Sequence, residues 1–491
     1  MSPLDLPEPS STEASFLRRR SASAPPLESF TLSLKTVTPI LGGGVVARSL
    51  ELPTVDIIRV PTLRGHLRFW WRALYGHAFA ARGPAGAEAL AREERQLWGG
   101  MGGAKTQDDD DAGARRSQVE LRVLEVRPAG EDTGKIDLGA LPSYALWPAR
   151  NGKGEADLPR WKPGLRFTLE VIAPQGEVMA QVRNAVRAWI LFGGYGSRVR
   201  RGCGAVCLEP STPDIAQWLP ASADRASLRR LFGDLPLFSP ELAERPGDMP
   251  LLRGAHLFRG DVSASQRDGE KVWLSALGWL RDFRQGTQPT SSGNTEELGV
   301  ARNPGEGKRA GRSNWPEADK VRRFARAARH DRRAGNAYPD VHAPRKQHSA
   351  TPAWPRSGFG LPIVFHFQQK RREGGDYLPK EPEDVQLQWE RQVGNQWESM
   401  DRLASPLIVK ALPLADGRFE PIALWLERGS PKGGQVVMTQ FKDADPRTRV
   451  SFAHAFRASD DQPLFKPLQR ADNLRDAFFL WLKETRKAQE A

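Results

Sequence analysis

The chain has only two cysteines, Cys203 and Cys207, among its 491 residues, which excludes a fold held together by a disulfide framework. They lie four positions apart in a glycine-rich segment with no second Cys or His pair nearby, whereas a structural zinc site needs four ligands. The sequence also lacks any run of about 18 apolar residues, so no membrane span is expected. We therefore expect a cytoplasmic protein that holds no metal and no other cofactor.

Acidic residues are too few to balance the basic ones. The chain has 72 Lys and Arg against 59 Asp and Glu, which gives a formal net charge of +13. An excess of Arg favours a polyanionic partner, because the planar guanidinium matches phosphate and stacks on bases. Nucleic acid fits such a surface better than membrane lipid does. A GC-rich genome also raises Arg, Ala, Gly and Pro, so the positions of the arginines must decide between the two explanations.

The first half predicts six elements in the order strand, helix, strand, strand, helix, strand. Alternation of apolar and polar residues marks the strands, and apolar residues at helical spacing mark the helices. The strands are expected near 30–34, 119–126, 165–172 and 205–208, and the helices near 63–78 and 178–192. This order is that of the ferredoxin-like fold, in which one antiparallel sheet carries two helices on one face.

The second half predicts a further ferredoxin-like domain with large insertions. The patterns indicate helices near 272–283 and 473–483 and strands near 361–367, 406–412 and 422–426. Residues 285–356 are rich in Gly, Pro, Ser, Arg and Asn apart from a short basic helix near 321–328, and so long a loop is usually functional or disordered.

The predicted fold class is α+β, with tandem ferredoxin-like domains. Residues 1–28 are rich in Ser, Pro, Glu and Arg and show no periodicity, so we expect a disordered tail there. An N-terminal domain is expected over 29–210 and a C-terminal domain over 211–491, with a basic mobile insert at about 286–350.

Three arginines in the first predicted helix, Arg64, Arg68 and Arg72, lie four residues apart and form one stripe. Such a stripe repels itself unless an anion lies across it. Because it begins at a helix N-terminus, where backbone amides also attract anions, we predict that it binds phosphate. The alternative is pairing with nearby acidic residues, such as Glu93, Glu94 or the aspartates at 108–111.

A second candidate site is the glycine-rich loop at 193–204, in which Arg198, Arg200 and Arg201 stand among the glycines. Glycine lets a backbone approach another group closely, and Tyr195 offers a face on which a base can stack. The loop lacks the spacing and the Lys-Ser/Thr ending of a Walker loop, which excludes a nucleoside-triphosphate cradle. A glycine-rich hairpin with incidental arginines is the alternative.

Three strings resemble the RAMP superfamily, and within it the first subunit of type III-B CRISPR (Cmr) complexes. They are Thr-Pro-Ile-Leu-Gly-Gly-Gly at 38–44, the segment 59–74 and Leu-Trp-Gly-Gly at 97–100. The loop at 193–204 is similar to the superfamily's glycine-rich loop, and the strings at 358–362 and 402–407 also look familial.

The resemblance implies tandem RAMP domains and a non-catalytic, RNA-binding subunit of an antiviral ribonucleoprotein. Such a subunit helps hold guide and target RNA near the 3′ end of the guide, beside other RAMP subunits. The predicted RNA-binding residues are Arg59, Arg64, His66, Arg68, Arg72, Tyr195, Ser197, Arg198, Arg200 and Arg201. The glycines expected to allow close backbone approach are Gly42, Gly43, Gly44, Gly65, Gly193, Gly194, Gly196, Gly202 and Gly204. We expect the two arginine clusters to converge on one groove.

Two other functions remain open. A RAMP-type endoribonuclease would use His66 as general acid or base, although a histidine on such a helix face is more often packed than catalytic. The aspartates at 108–111 form a solvated run that rarely fixes a metal ion, so we expect no catalysis. A standalone binder of single-stranded RNA would need aromatics on its sheet, where the third strand offers only Phe167.

Overall fold

A computed structural model describes most of the chain outside its N-terminal tail and its long insert. The described residues are 25–46, 49–80, 83–101, 114–151, 155–238, 247–261, 265–289, 295–297, 315–326, 351–366, 384–440, 443–456 and 468–491. The acidic run at 108–111 lies outside them, as do most of the predicted tail and most of the predicted insert. The mobility expected for those two segments stays a prediction, and so do the domain boundaries.

The described chain contains both strands and helices. The strands are β1 (Leu27–Thr36), β2 (Glu120–Arg127), β3 (Glu131–Asp132), β4 (Arg160–Trp161), β5 (Arg166–Pro174), β6 (Val206–Leu208), β7 (Leu251–Arg259), β8 (Thr287–Pro289), β9 (Thr295–Glu297), β10 (Ile363–Phe365), β11 (Val385–Val393), β12 (Gln396–Ser399), β13 (Leu407–Pro413), β14 (Phe419–Glu427), β15 (Gly434–Gln440), β16 (Asp443–Ser451) and β17 (Gln489–Glu490).

The α-helices are α1 (Val60–Tyr75), α2 (His77–Ala80), α3 (Gly83–Trp98), α4 (Ser143–Leu146), α5 (Glu177–Phe192), α6 (Arg225–Phe232), α7 (Gly269–Gln285), α8 (Glu317–Arg326), α9 (Phe452–Ala455) and α10 (Leu474–Arg486). Within the described ranges, every helix is too short or too polar to cross a lipid bilayer.

The first sheet has the antiparallel order β2-β5-β1-β6, and its strands alternate along the chain with α1 and α5. Strand order and chain order together are those of the ferredoxin-like fold, as the sequence predicted. Burial alternates along β1 and β5, so one face of this sheet meets the helices.

The second sheet has the order β13-β14-β7-β17 and is also antiparallel. Along the chain its elements run β7, α7, β13, β14, α10, β17, which repeats the ferredoxin-like order. The predicted fold class of tandem ferredoxin-like domains is therefore confirmed.

A third sheet, β10-β11-β15-β16 with β12 paired to β11, is built from segments that interrupt the second domain. The sequence did not predict it. The strand expected at 361–367 was wrongly assigned to the second ferredoxin-like sheet, because β10 pairs with β11 through Ile363 and Leu387. An apolar core of its own, which includes Phe324, Trp354 and Met438, lies beneath this sheet.

Helices α1 and α5 lie between the first and second sheets. Their apolar side chains share one core with residues of both sheets, including Leu169 of β5 and Leu424 of β14. Helices α7 and α10 cover the other face of the second sheet in a second core. Because the second sheet is covered on both faces, all seven residues of β13 are buried.

Candidate nucleic-acid interface

The arginine stripe of α1 is held by a carboxylate on α3. Arg68 Nε donates to Glu94 Oε1 at 2.5 Å, and Arg72 Nη1 donates to the same oxygen. The Glu94 side chain is 8% exposed, while each of the two arginines is about one-third exposed. The pairing with Glu94 that stood as the alternative is therefore what the structure shows, although one carboxylate facing two guanidinium groups leaves a net positive charge.

Arg64, the first member of the stripe, is satisfied within the protein. Its Nη1 donates to Ser117 Oγ at 2.6 Å and to the carbonyl oxygen of Val119 at 3.2 Å. Burial, and then the positive charge of Arg68, lower the pKa of Arg64. This side chain holds the segment that leads into β2. Phosphate binding by the stripe stays a prediction, because each of its three guanidinium groups has a partner within the protein.

The glycine-rich loop, residues 193–204, packs closely against other parts of the chain. Ser197 N and Oγ both donate to the carbonyl oxygen of Leu41 at 2.7 Å, which joins the loop to the Gly42–Gly44 turn. A Cβ on Gly43 would lie 2.8 Å from Tyr195 Cε1, and one on Gly204 would meet the carbonyl oxygen of Tyr195.

Most of the predicted glycines therefore do allow close approach of the backbone, but to other atoms of this chain. A Cβ would come within 3.4 Å of another atom of the chain at Gly42, Gly43, Gly193, Gly194, Gly196, Gly202 and Gly204. Gly44 is less crowded, with Pro53 Cγ at 4.0 Å, and Gly65 has nothing within 4 Å. Gly65 is thus the predicted approach glycine for which the described chain offers no packing reason.

Tyr195 does not present a face to a base. Its ring is fully buried, with the edge of His66 packed against it at a centroid distance of 6.1 Å. Its hydroxyl accepts from the backbone N of Arg59 at 2.8 Å, at the start of α1. The predicted stacking role is wrong, because the tyrosine pins the glycine-rich loop to the entrance of the helix.

The three arginines of the loop point toward the second domain and α4. Arg200 Nη1 donates to the carbonyl oxygen of Ser405, and Arg201 Nη1 to that of Leu407 at 3.3 Å, just before and at the start of β13. Arg198 Nε donates to the carbonyl oxygen of Ala145 at 3.0 Å. Burial lowers the pKa of Arg201 to about 9 and that of Arg200 to about 10.

The two arginine clusters therefore do not converge on one groove as predicted. The stripe of α1 turns toward α3, whereas the loop arginines turn toward α4 and β13. At 6% exposure Arg201 is closed to RNA. Arg200 does reach α1, since its Cζ lies 5.7 Å from the ring centroid of Phe69 on that helix.

Positive charge accumulates instead where the two domains meet. Arg284 at the end of α7 and Arg402 before β13 both lower the pKa of Arg198, and Arg428 after β14 lowers that of Arg200. We call these five residues, Arg198, Arg200, Arg284, Arg402 and Arg428, the junction arginines. Arg402 is exposed, and Arg284 is half-buried with its Cζ 5.6 Å from the ring centroid of Phe359.

Carboxylates of the described chain contribute little to the pKa shifts of Arg198, Arg200 and Arg428. The carboxylate that raises the pKa of one of them is Asp248, at Arg428, and burial outweighs it to leave that pKa at about 10. The sequence did not predict Arg284, Arg402 and Arg428, because they come from three distant segments of the chain. Only Arg402 carried a signal, since it begins the familial string at 402–407.

Residues 33–207 match the family model described as "RAMP superfamily". This part of the chain is similar to the RAMP superfamily, and the match covers less than half of the 491 residues. This part contains β2 and β5, the last four residues of β1 and the first two of β6, and we call it the RAMP domain. None of the curated proteins matches the sequence.

The chain is also similar to several solved structures. Cmr1 from Pyrococcus furiosus is 13% identical, over 94% of this chain and 98% of its own, with a TM-score of 0.42. A chain of the type III-B Cmr-beta complex bound to cognate target RNA and AMPPnP is 13% identical, over 84% and 97%, with a TM-score of 0.34. Cmr6 from Pyrococcus furiosus is 11% identical, over 38% and 99%, with a TM-score of 0.20.

His66 of the RAMP domain is poorly suited to acid–base chemistry. Burial lowers its pKa to about 4, so the imidazole is neutral near pH 7 and has no proton to give as a general acid. Its Nε2 is buried without a hydrogen-bond partner in the described structure. The packed histidine that stood as the alternative fits these observations.

The remaining predicted residues of the RAMP domain lie near its surface. Ser197 is exposed, and half-buried Arg59 lines a groove of about 360 Å³ together with Asp56, Val123 and Val126.

Burial raises the pKa of the Cys203 thiol to about 12 and that of Cys207 to about 11, so both thiols stay protonated. In the described part of the chain, no three His, Cys, Asp or Glu side chains are grouped as a metal ion would need.

Proposed function

We propose that this chain is a non-catalytic RNA-binding subunit of a type III-B CRISPR effector complex in antiviral defence. It helps hold guide and target RNA near the 3′ end of the guide, beside other RAMP subunits. The RAMP superfamily match, the tandem ferredoxin-like domains and the net charge of +13 support this proposal. A protein that grips the backbone suits a complex in which base pairing with the guide selects the sequence.

The junction arginines are the observation that carries the proposal. Arg284 and Arg402 act on Arg198, and Arg428 acts on Arg200, so positive charges from both domains repel one another. Burial makes the positive charges of Arg198, Arg200 and Arg428 more costly. A ribose-phosphate chain across the junction would replace this repulsion with charge-assisted hydrogen bonds. Because both domains contribute, bound RNA would also hold them together.

Burial of His66 supports a non-catalytic role, since this residue is the strongest candidate for metal-free cleavage. A neutral imidazole packed against Tyr195 has neither the proton nor the exposure that the reaction needs. We expect the purified protein to leave guide and target RNA intact, with or without magnesium or manganese. Cleavage that the His66→Ala substitution abolishes would favour the nuclease instead.

Salt-dependent binding of single-stranded RNA tests the interface. Each lost phosphate contact lowers the slope of log affinity against log salt by about 0.7, so Arg284→Ala with Arg402→Ala is expected to lower it by about 1.4. Arg127→Ala with Arg418→Ala is the matched control, because it removes two positive charges that pair locally with Glu125 and Asp416. Equal slopes for the two double variants would remove the junction from the binding site.

Co-purification tests membership of the complex. Tagged protein is expected to retrieve guide RNA together with other RAMP subunits. Retrieval of RNA without partners would favour a standalone binder, and retrieval of neither would overturn the proposed function.

A further inference from the structure

Trp147 is the exposed aromatic side chain of the described chain. It is 47% exposed, while the other described Trp, Phe and Tyr side chains are buried or half-buried. Tryptophan carries a large apolar surface, and proteins usually cover it unless a partner does so. An exposed indole is therefore a candidate contact for a partner.

The backbone holds this indole in a fixed place. Trp147 begins a short 3₁₀ turn directly after α4, and Leu146 before it and Ala149 two positions after it are buried. Arg198 clamps α4 by donating to the carbonyl oxygens of Tyr144 and Ala145. The exposed ring is thus attached to a segment that packs against the rest of the protein.

A positive charge lies against the ring. The guanidinium Cζ of Arg150 lies 4.4 Å from the centroid of the Trp147 ring, in cation–π geometry. Arg198, one of the junction arginines, donates to the carbonyl oxygen of Ala145, two residues before Trp147. An aromatic face beside cations is the arrangement with which proteins hold single-stranded nucleic acid, since it accepts a base and its phosphate together.

We propose that Trp147 is a stacking platform for an unpaired base of single-stranded RNA whose backbone lies along the junction arginines. This inference rests on the proposed function and adds a base contact to it. Stacking requires no particular base, because every base has a π face, so the platform fits a subunit that leaves sequence choice to the guide. The charge around the indole favours an anionic occupant over an apolar protein surface.

Titration of labelled single-stranded RNA with variants tests the platform. Trp147→Ala is expected to weaken binding roughly 5- to 150-fold, the range that one stacked base contributes. Trp147→Phe is expected to restore most of the affinity, because the aromatic face returns. The salt slope is expected to stay unchanged in both variants, since no phosphate contact is lost.

Two controls separate stacking from damage to the fold. Trp397→Ala removes a half-buried tryptophan of β12 that carries Arg449 at 5.2 Å, and it is expected to leave RNA affinity unchanged. On an oligonucleotide with abasic sites, wild-type protein and Trp147→Ala are expected to bind equally, because no base is left to stack.

The outcomes distinguish this inference from the proposed function. If wild-type protein binds RNA and Trp147→Ala binds it equally well, the platform is overturned and the proposed function stands. If Trp147→Ala keeps its RNA affinity but loses co-purifying RAMP subunits, Trp147 docks protein and the inference is again overturned. If wild-type protein neither binds RNA nor joins the complex, the proposed function itself fails.

Discussion

Lys410 is a charged side chain with no exposed surface, on β13 of the second domain. Its Nζ donates to the carbonyl oxygens of Ile190 and Gly193, both at 2.8 Å, where α5 ends and the glycine-rich loop begins. An ammonium at a helix C-terminus satisfies free carbonyls and the helix dipole, which offsets part of the cost of burial. Sequence patterns do not reveal such a residue, because lysine is almost always exposed.

Burial lowers the pKa of Lys410 to about 7, against about 10.4 in the unfolded chain. Between these values the unfolded state binds more protons, so the free energy of unfolding rises with pH, by at most about 1.4 kcal/mol per pH unit. Below pH 7 both states are protonated, and this contribution is flat. We expect urea unfolding to show the rise from pH 7 to 8.5 in wild-type protein and to lose it in Lys410→Met.

The control for this prediction is Lys162→Met, which removes an exposed lysine and is expected to keep the rise. The measurement stops at pH 8.5 because burial raises the pKa of Cys203 and Cys207 in the folded protein. Above about pH 9 these thiols lose protons in the unfolded chain first, which lowers the free energy of unfolding. Identical pH dependence in wild-type protein and Lys410→Met would contradict the assignment.

At the scale of elements, the glycine-rich loop is a joint between the two domains. Lys410 holds its beginning, and Trp273 of α7 holds its end by donating from Nε1 to the carbonyl oxygen of Arg201 at 2.6 Å. Gly202 has a φ of +77°, and a Cβ there would overlap the Trp273 ring. The loop that was predicted to bind RNA is thus largely buried by its own protein.

Two glycine substitutions test whether the glycine-rich loop joins the two domains. Gly202→Ala is expected to lower the free energy of unfolding by about 2–5 kcal/mol, through left-handed strain and overlap with Trp273. Gly65→Ala, on the exposed side of α1 with nothing within 4 Å, is expected to raise it by about 0.5–1 kcal/mol. Urea denaturation measures both. A harmless Gly202→Ala would show that the loop does not join the domains.

Periodicity predicted the elements that carry their signal locally. Helices α1 and α5 and the strands of the first sheet follow from apolar spacing, and their order predicted the fold. The third sheet was missed because its strands pair across long separations, as β11 with β15 does. The role of Tyr195 was misread for a similar reason, since only the meeting of two distant loops buries its ring.

At the scale of the whole molecule, α1 and α5 belong to two domains at once. One face of the helix pair covers the first sheet, and the core continues through them into the second sheet, where Leu424 is fully buried. Neither sheet keeps its core if the other unfolds. We infer that the two ferredoxin-like domains unfold together, because separation would expose the apolar surface that they share.

Leu424→Ala tests this coupling from the side of the second domain. Removing the buried side chain is expected to cost about 2–5 kcal/mol. If the domains unfold as one unit, amide exchange in β1 and β5 of the RAMP domain is expected to speed up as much as exchange in β14, although Leu424 lies in neither strand. Faster exchange confined to β7, β13 and β14 would show that the two domains unfold independently. Bound RNA at the junction would then be needed to hold the two domains together.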